Sequence, residues 1–192
     1  MAKPFSKIFN IDASVFQNFE MVWLQHNFDK EIPKDVTHVF VNSMSDVAFW
    51  TPKWLELVVK KMQKYPDVKF LFLTKDVKTS VDLSHSIDVM CKNSFLGVSV
   101  TNNAQLEAAQ SSDCSACFIS LEPIQEKIDV ERLRYFDWVI VGAETGNRKG
   151  RVVPQKEWIE EIREYCQLKK IPLYEKDSLK SIVNRPLIQE RI

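Results

Sequence analysis

Polar and charged residues that could do chemistry recur in this sequence directly after apolar runs. Asn42, Ser43 and Asp46 follow Val36–Val41; Thr74 and Lys75 close Val68–Leu73; Ser99, Thr101 and Asn102 lie at the end of Phe95–Val100. Ser120 and Glu122 end Cys117–Leu121, Glu144 follows Trp138–Val141 across Gly142-Ala143, and Glu175, Lys176 and Asp177 follow Ile171–Tyr174. Two lysines and several carboxylates brought to one place would make a pocket for a ligand carrying both charge signs. The same acids and lysines could also exchange protons with a substrate. A plainer reading stands beside this one: every strand must leave the core into polar residues, and acids such as Asp46 and Asp76 cap following helices by accepting their free N–H groups. Lys75 and Lys176 have the same two options, contact with a ligand or an ion pair with a neighbouring acid.

The elements that would position these residues follow from the pattern. Asp137-Trp-Val-Ile-Val-Gly-Ala-Glu144 is apolar without alternation, as in a strand buried on both faces of a helix-covered parallel sheet. Val36–Asn42, Val68–Thr74, Phe95–Val100, Cys117–Leu121 and Ile171–Glu175 read as further strands from their β-branched and aromatic content. Helical stretches separate them. Thr51-Pro52 supplies an N-cap and a proline at the first helical position for a helix carrying Trp54, Leu55, Val58, Val59 and Met62 on one face. Ala104–Gln110, a short helix over Val130–Tyr135 and a helix over Pro154–Leu168 follow, and a further short helix is expected over Val81–Met90. Strand spacings of about 20 to 30 residues with helices between them are what right-handed βα crossovers produce, so the sheet is expected to be parallel. All strand carboxyl ends then share one rim, where ligands collect in parallel α/β folds.

The bulk numbers agree with one α/β domain over residues 1–192: an irregular apolar segment over 1–35, βα repeats over 36–178 and a covering segment over 179–192. Lysine plus arginine and aspartate plus glutamate number 26 each, so zero formal charge gives no support to non-specific attraction to nucleic acid or membranes. No apolar run reaches the roughly 18 residues of a membrane span, and Met1-Ala-Lys-Pro-Phe5 does not open a signal peptide, so a cytoplasmic protein without a membrane partner is expected. Of the cysteines Cys91, Cys114, Cys117 and Cys166, only Cys114-Ser-Ala-Cys117 has ligand-like spacing. A lone CxxC without further ligands reads as two reduced thiols at a strand entrance, and no metal site is expected.

Six motifs occur in one order: Val39-Phe-Val-Asn-Ser-Met-Ser-Asp46, Phe70-Leu-Phe-Leu-Thr-Lys75, Leu96-Gly-Val-Ser-Val100, Phe118-Ile-Ser-Leu-Glu-Pro123, Trp138-Val-Ile-Val-Gly-Ala-Glu-Thr-Gly146 and Ile171-Pro-Leu-Tyr-Glu-Lys-Asp-Ser178. Together, over about residues 36–190, they resemble a phage-associated, radical-SAM-like family of uncharacterised proteins distantly similar to spore photoproduct lyase. The resemblance implies a partial, open TIM-type barrel whose mouth binds S-adenosylmethionine and a [4Fe-4S] cluster. It places Asn42, Ser43, Asp46, Ser99, Glu122 and Glu144 around that mouth, with Lys75 and Lys176 facing it. Thr74 and Asp177 complete the expected set of ligand-binding residues, and nucleic acid is implied as a partner by family analogy alone. The sequence departs from the family in one respect. Relatives hold the cluster with an N-terminal CxxxCxxC loop, whereas no cysteine precedes Cys91 here. A barrel missing its first βα unit, without conventional [4Fe-4S] chemistry by this chain alone, is therefore expected. Two other functions remain open: a cluster-free acid–base enzyme using the same mouth, and a phage-associated binding or assembly module. In the latter the open barrel edge would be covered by the first 30 residues, by the tail, or by another chain, including a second copy.

Overall fold

The structure, a computed structural model, describes residues 23–42, 46–76, 92–111 and 116–192. Ser43, the expected helix over Val81–Met90, Cys91, Cys114 and most of the apolar N-terminal segment lie outside the described residues. Six parallel strands, β1 (His38–Phe40), β2 (Lys69–Thr74), β3 (Ser94–Val100), β4 (Phe118–Leu121), β5 (Trp138–Val141) and β6 (Leu173–Glu175), pair strictly in sequence order. The sheet curls into a half-barrel with helices between its strands. Every neighbouring pair is parallel, so every carboxyl end reaches the same rim.

Helices α1 (Gln25–Phe28), α2 (Pro52–Met62), α3 (Asn103–Ser111), α4 (Lys156–Lys169) and α5 (Lys180–Val183) accompany the strands. Helix α2 starts where the sequence predicts: the Thr51 hydroxyl accepts from the Trp54 N–H and Pro52 occupies the first turn. The predicted helix over Val130–Tyr135 is a tight 3-10 turn, whose first free N–H is taken by Asp129. Among the described residues no helix is long and apolar enough to cross a membrane.

The strand period of two sorts the side chains into two layers. Aliphatic residues such as Val98, Val100, Ile119, Leu121, Val139, Val141 and Leu173 pack outward into a core with α4 and its neighbours. The concave face instead carries Leu71, Phe118, Trp138 and Ile140, with Leu73, Phe95 and Tyr174 packed against them. Phe118 lies across β3, and Gly97 makes room for it: a Cβ there would stand 2.4 Å from the ring.

The last residues cover the β6 edge. Tyr174 forms an antiparallel bridge with Gln189, the Glu175 N–H donates to the Ile188 carbonyl, and the Glu190 N–H donates to that of Leu173. The chain then crosses the concave face. Trp138 Nε1 donates to the Glu190 carbonyl at 3.0 Å, and the Ile192 carbonyl lies 2.7 Å from His38 Nε2 on β1. An exposed sheet edge is thereby paired and the floor of the half-barrel is bridged by the chain's own tail.

Candidate functional site

The concave face encloses an open cavity of about 1190 Å³. Asn42, Asp46, Thr74, Lys75, Ser99, Glu122 and Lys176, seven of the predicted residues, line it at the strand carboxyl ends. Glu144 and Asp177 lie beside this rim without lining the cavity.

Each lining residue is held by a distinct local device. Asn42 continues β1 past its last backbone pair: its amide donates to the Leu73 carbonyl and its Oδ1 accepts from the Leu73 N–H at 3.0 Å. The side chain thus imitates a strand residue, and this satisfies a buried edge of β2. Asp46 is a clasp. Its Oδ1 accepts from the Ala48 N–H at 3.0 Å and from the Thr74 hydroxyl at 2.7 Å, while Oδ2 accepts from the Lys75 N–H at 2.8 Å. The capping role foreseen for Asp46 holds, and it also ties the segment after β1 to the end of β2. These bonds occupy the carboxylate and aim the Lys75 backbone at the rim. The Lys75 ammonium itself meets no carboxylate among the described residues.

Glu122 and Lys176 form the charged centre of the rim. The β4–β5 ladder continues beyond its strands, with the Gly142 N–H donating to the Leu121 carbonyl and the Ile124 N–H donating to the Gly142 carbonyl. This sets Gly142 beside the Glu122 side chain, where a Cβ would approach Oε1 to 2.9 Å. Lys176 is fixed from the other side by its N–H, which donates to the Val141 carbonyl at 2.9 Å. Its ammonium donates to Glu122 Oε2, and both side chains keep contact with solvent. The Ser99 hydroxyl donates to the Glu122 carbonyl at 3.3 Å.

The other strand-end residues go elsewhere. Arg148, four residues after Glu144, grips its carboxylate through Nε and Nη2. That hydrogen bond holds the Glu144 carboxyl below the usual carboxylate range. Asp177 accepts a long contact of 3.4 Å from the Gln189 amide. Asn102 caps α3 by accepting from the Gln105 N–H at 2.9 Å. Glu175, expected on the rim, turns outward: strand alternation sends Tyr174 and Lys176 inward and Glu175 to the helix side. There it is fully buried, and Arg185 neutralises it through Nη1 and Nη2 while bonding Glu160 of α4 through Nε. The Ile188 N–H completes this buried arrangement.

Sequence reasoning missed the lower half of the cavity: His38, Phe40, Trp138, Tyr174 and Arg191. Aromatic residues in apolar runs read as core, and the tail gave no sign that Arg191 reaches the cavity. A usable signal was present in β4 and β5, where Phe118 and Trp138 begin concave-facing alternations that run on through Ser120 and Ile140.

The described thiols do not fit an iron–sulfur cluster at this rim. Cys117 directly precedes β4, at the opposite end of the strand from Glu122. Cys166 is buried on α4, where desolvation, with Glu190 and Glu175 adding to it, pushes its thiol up to about 12. It lies in the outer core and does not line the cavity.

Residues 8–180 match the family described as "Protein of unknown function (DUF5131)". The chain belongs to this family. The comparisons with curated proteins and with solved structures gave no match.

Proposed function

We propose that this DUF5131 chain is a radical-SAM-related half-barrel whose mouth binds a small molecule, with S-adenosylmethionine as the candidate ligand. The supporting observation is the convergence of seven strand-end residues on one cavity, with Lys75 unpaired by any described acid and Glu122–Lys176 at its centre. The donor set suits such a ligand. Lys75 offers a cation to its carboxylate, the acidic side of the Glu122–Lys176 pair and neighbouring carbonyls suit its ammonium, and the exposed ring of Phe49 at the lip suits its adenine. When an iron–sulfur cluster reduces it, S-adenosylmethionine supplies radical chemistry; the described thiols, away from the cavity lining, do not fit such a cluster. A soluble, cytoplasmic setting belongs to the same proposal.

Isothermal titration calorimetry tests it. S-adenosylmethionine is expected to bind the wild type, and Lys75→Gln and Glu122→Gln are each expected to weaken binding about tenfold or more, the scale of a lost charge-assisted hydrogen bond. Absence of binding, or affinity unchanged by both substitutions in folded protein, refutes the proposal. The direct Glu122–Lys176 contact also favours a second reading, a cluster-free acid–base enzyme, because the two groups can pass a proton between them and a bound substrate. That reading requires turnover that Glu122→Gln abolishes while ligand affinity persists.

A further inference from the structure

The cavity has two chemically different ends. The rim is polar and carries acids, whereas the floor is aromatic and no Asp or Glu side chain lines it. Ring contacts run across the floor from one edge of the half-barrel to the other. Phe40 of β1 meets Phe118 edge-on at 6.3 Å, Phe118 meets Trp138 at 5.5 Å, and Trp138 meets Tyr174 of β6 edge-on at 6.3 Å. Phe118 and Trp138 are buried and rigid, but Phe40 is 39% exposed although it faces the cavity. That is apolar surface available to a ligand ring.

The hydrogen-bonding groups at this end are already engaged. His38 lies between the Thr37 hydroxyl and the Ile192 carbonyl, and the Trp138 N–H is bound to the Glu190 carbonyl. Two groups are exceptions: the Tyr174 hydroxyl, which has no hydrogen bond among the described residues, and Arg191. Its guanidinium lies over the Tyr174 ring, 5.8 Å from the centroid, and meets no carboxylate among the described residues. Stacking on Tyr174 orients the guanidinium fork without consuming its N–H donors, which leaves them for a planar anion. The cavity, at about 1190 Å³, is somewhat larger than the roughly 300–1,000 Å³ of a usual small-molecule pocket.

We propose that the floor is a second subsite that takes a flat aromatic acid, its ring against Phe40 and Tyr174 and its anionic group on Arg191. This rests on reading the concave face as a ligand mouth, and it gives that mouth two occupants: a zwitterion at the rim and an aromatic acid below. Such a ligand would lie beside the tail that bridges β6 and β1 and shield the exposed face of Phe40.

The test titrates 2-naphthoate, its neutral analogue 2-naphthamide and the non-aromatic cyclohexanecarboxylate into the full chain by calorimetry. The expected order is 2-naphthoate tightest. Arg191→Gln, at an exposed position that leaves the fold intact, should weaken 2-naphthoate about tenfold or more and leave 2-naphthamide unchanged. Tyr174→Leu should weaken both naphthalene probes, and Lys75→Gln neither. Saturating S-adenosylmethionine should leave the 2-naphthoate affinity unaltered. Equal binding of acid and amide, indifference to Arg191→Gln, or mutual exclusion with S-adenosylmethionine overturns the proposal. Binding of 2-naphthoate with the expected dependences but no binding of S-adenosylmethionine retains the floor subsite and removes the rim assignment; the reverse pattern does the opposite.

Discussion

Two glycine-to-alanine substitutions in neighbouring parts of the half-barrel should have opposite consequences. At Gly97 the added methyl would stand 2.4 Å from Phe118 Cε2 and Cζ and 2.6 Å from Cδ2. Carbon atoms prefer about 3.5–4.0 Å, so the overlap exceeds an ångström. The ring cannot yield, being fully buried and held between Phe40 and Trp138. Overpacking of this kind costs about 1–3 kcal/mol, against which alanine recovers only about 0.4–1 kcal/mol from the stiffer unfolded chain. Gly97→Ala should therefore destabilise by about 1–2 kcal/mol, which lowers Tm by roughly 2–8 °C in a chain of this size. At Gly142 the methyl would meet the Glu122 carboxylate instead, 2.9 Å from Oε1 and 3.1 Å from Cδ. That side chain is 28% exposed and can swing aside, and its partly solvated pair with Lys176 is worth only about 0–1 kcal/mol. Gly142→Ala should leave Tm nearly unchanged while shifting Glu122 and weakening ligands that contact it. Thermal denaturation with ligand titration separates the two. A Gly97→Ala protein as stable as wild type, or a Gly142→Ala protein that loses stability and keeps full affinity, contradicts these packing assignments.

Arg185→Met should be far more damaging, because it strands Glu175 fully buried without its cation; about 3–5 kcal/mol is expected, read by urea denaturation. Asn42→Asp removes the donor that meets the Leu73 carbonyl and places a carboxylate oxygen there, so a loss of about 1–3 kcal/mol is expected in the same assay. Cys166 has a folded thiol pushed up to about 12 against an ordinary 9.0. Its contribution to stability is thus complete below about pH 9 and is lost as pH rises from there through 12, because the unfolded chain ionises first. Peptide mapping after iodoacetamide treatment at pH 8 should find Cys166 unmodified in the folded chain and alkylated in urea; rapid native alkylation contradicts its burial.

The parallel sheet was legible because apolar runs, proline-marked helix starts and even spacing agree with one another. The rim was legible for the same reason, since parallel strands must end together. What escaped was direction. Glu175 and Lys176 are adjacent in the sequence, yet strand alternation sends one to the outer core with Arg185 and the other into the mouth with Glu122. A run apolar on both faces hides this parity, because nothing polar marks which side is concave. Glu144 illustrates the other difficulty: its partner Arg148 is four residues away in a segment without regular structure, so no helix period announced the pair. Asp46 fits the capping reading and the rim reading at once, since a clasp across two strand ends is also part of the cavity wall. The aromatic floor and Arg191 depend on the tail folding back over the concave face, a long-range arrangement with no local signature.

The concave mouth, and not an outer surface, is proposed to receive the ligand. Backbone amide NMR spectra recorded with and without S-adenosylmethionine test it most directly. Shifts are predicted at Asn42, Asp46, Lys75, Ser99, Glu122 and Lys176, with little change along α2 and α4. Shifts confined to those helices, or none at saturating ligand, would contradict it.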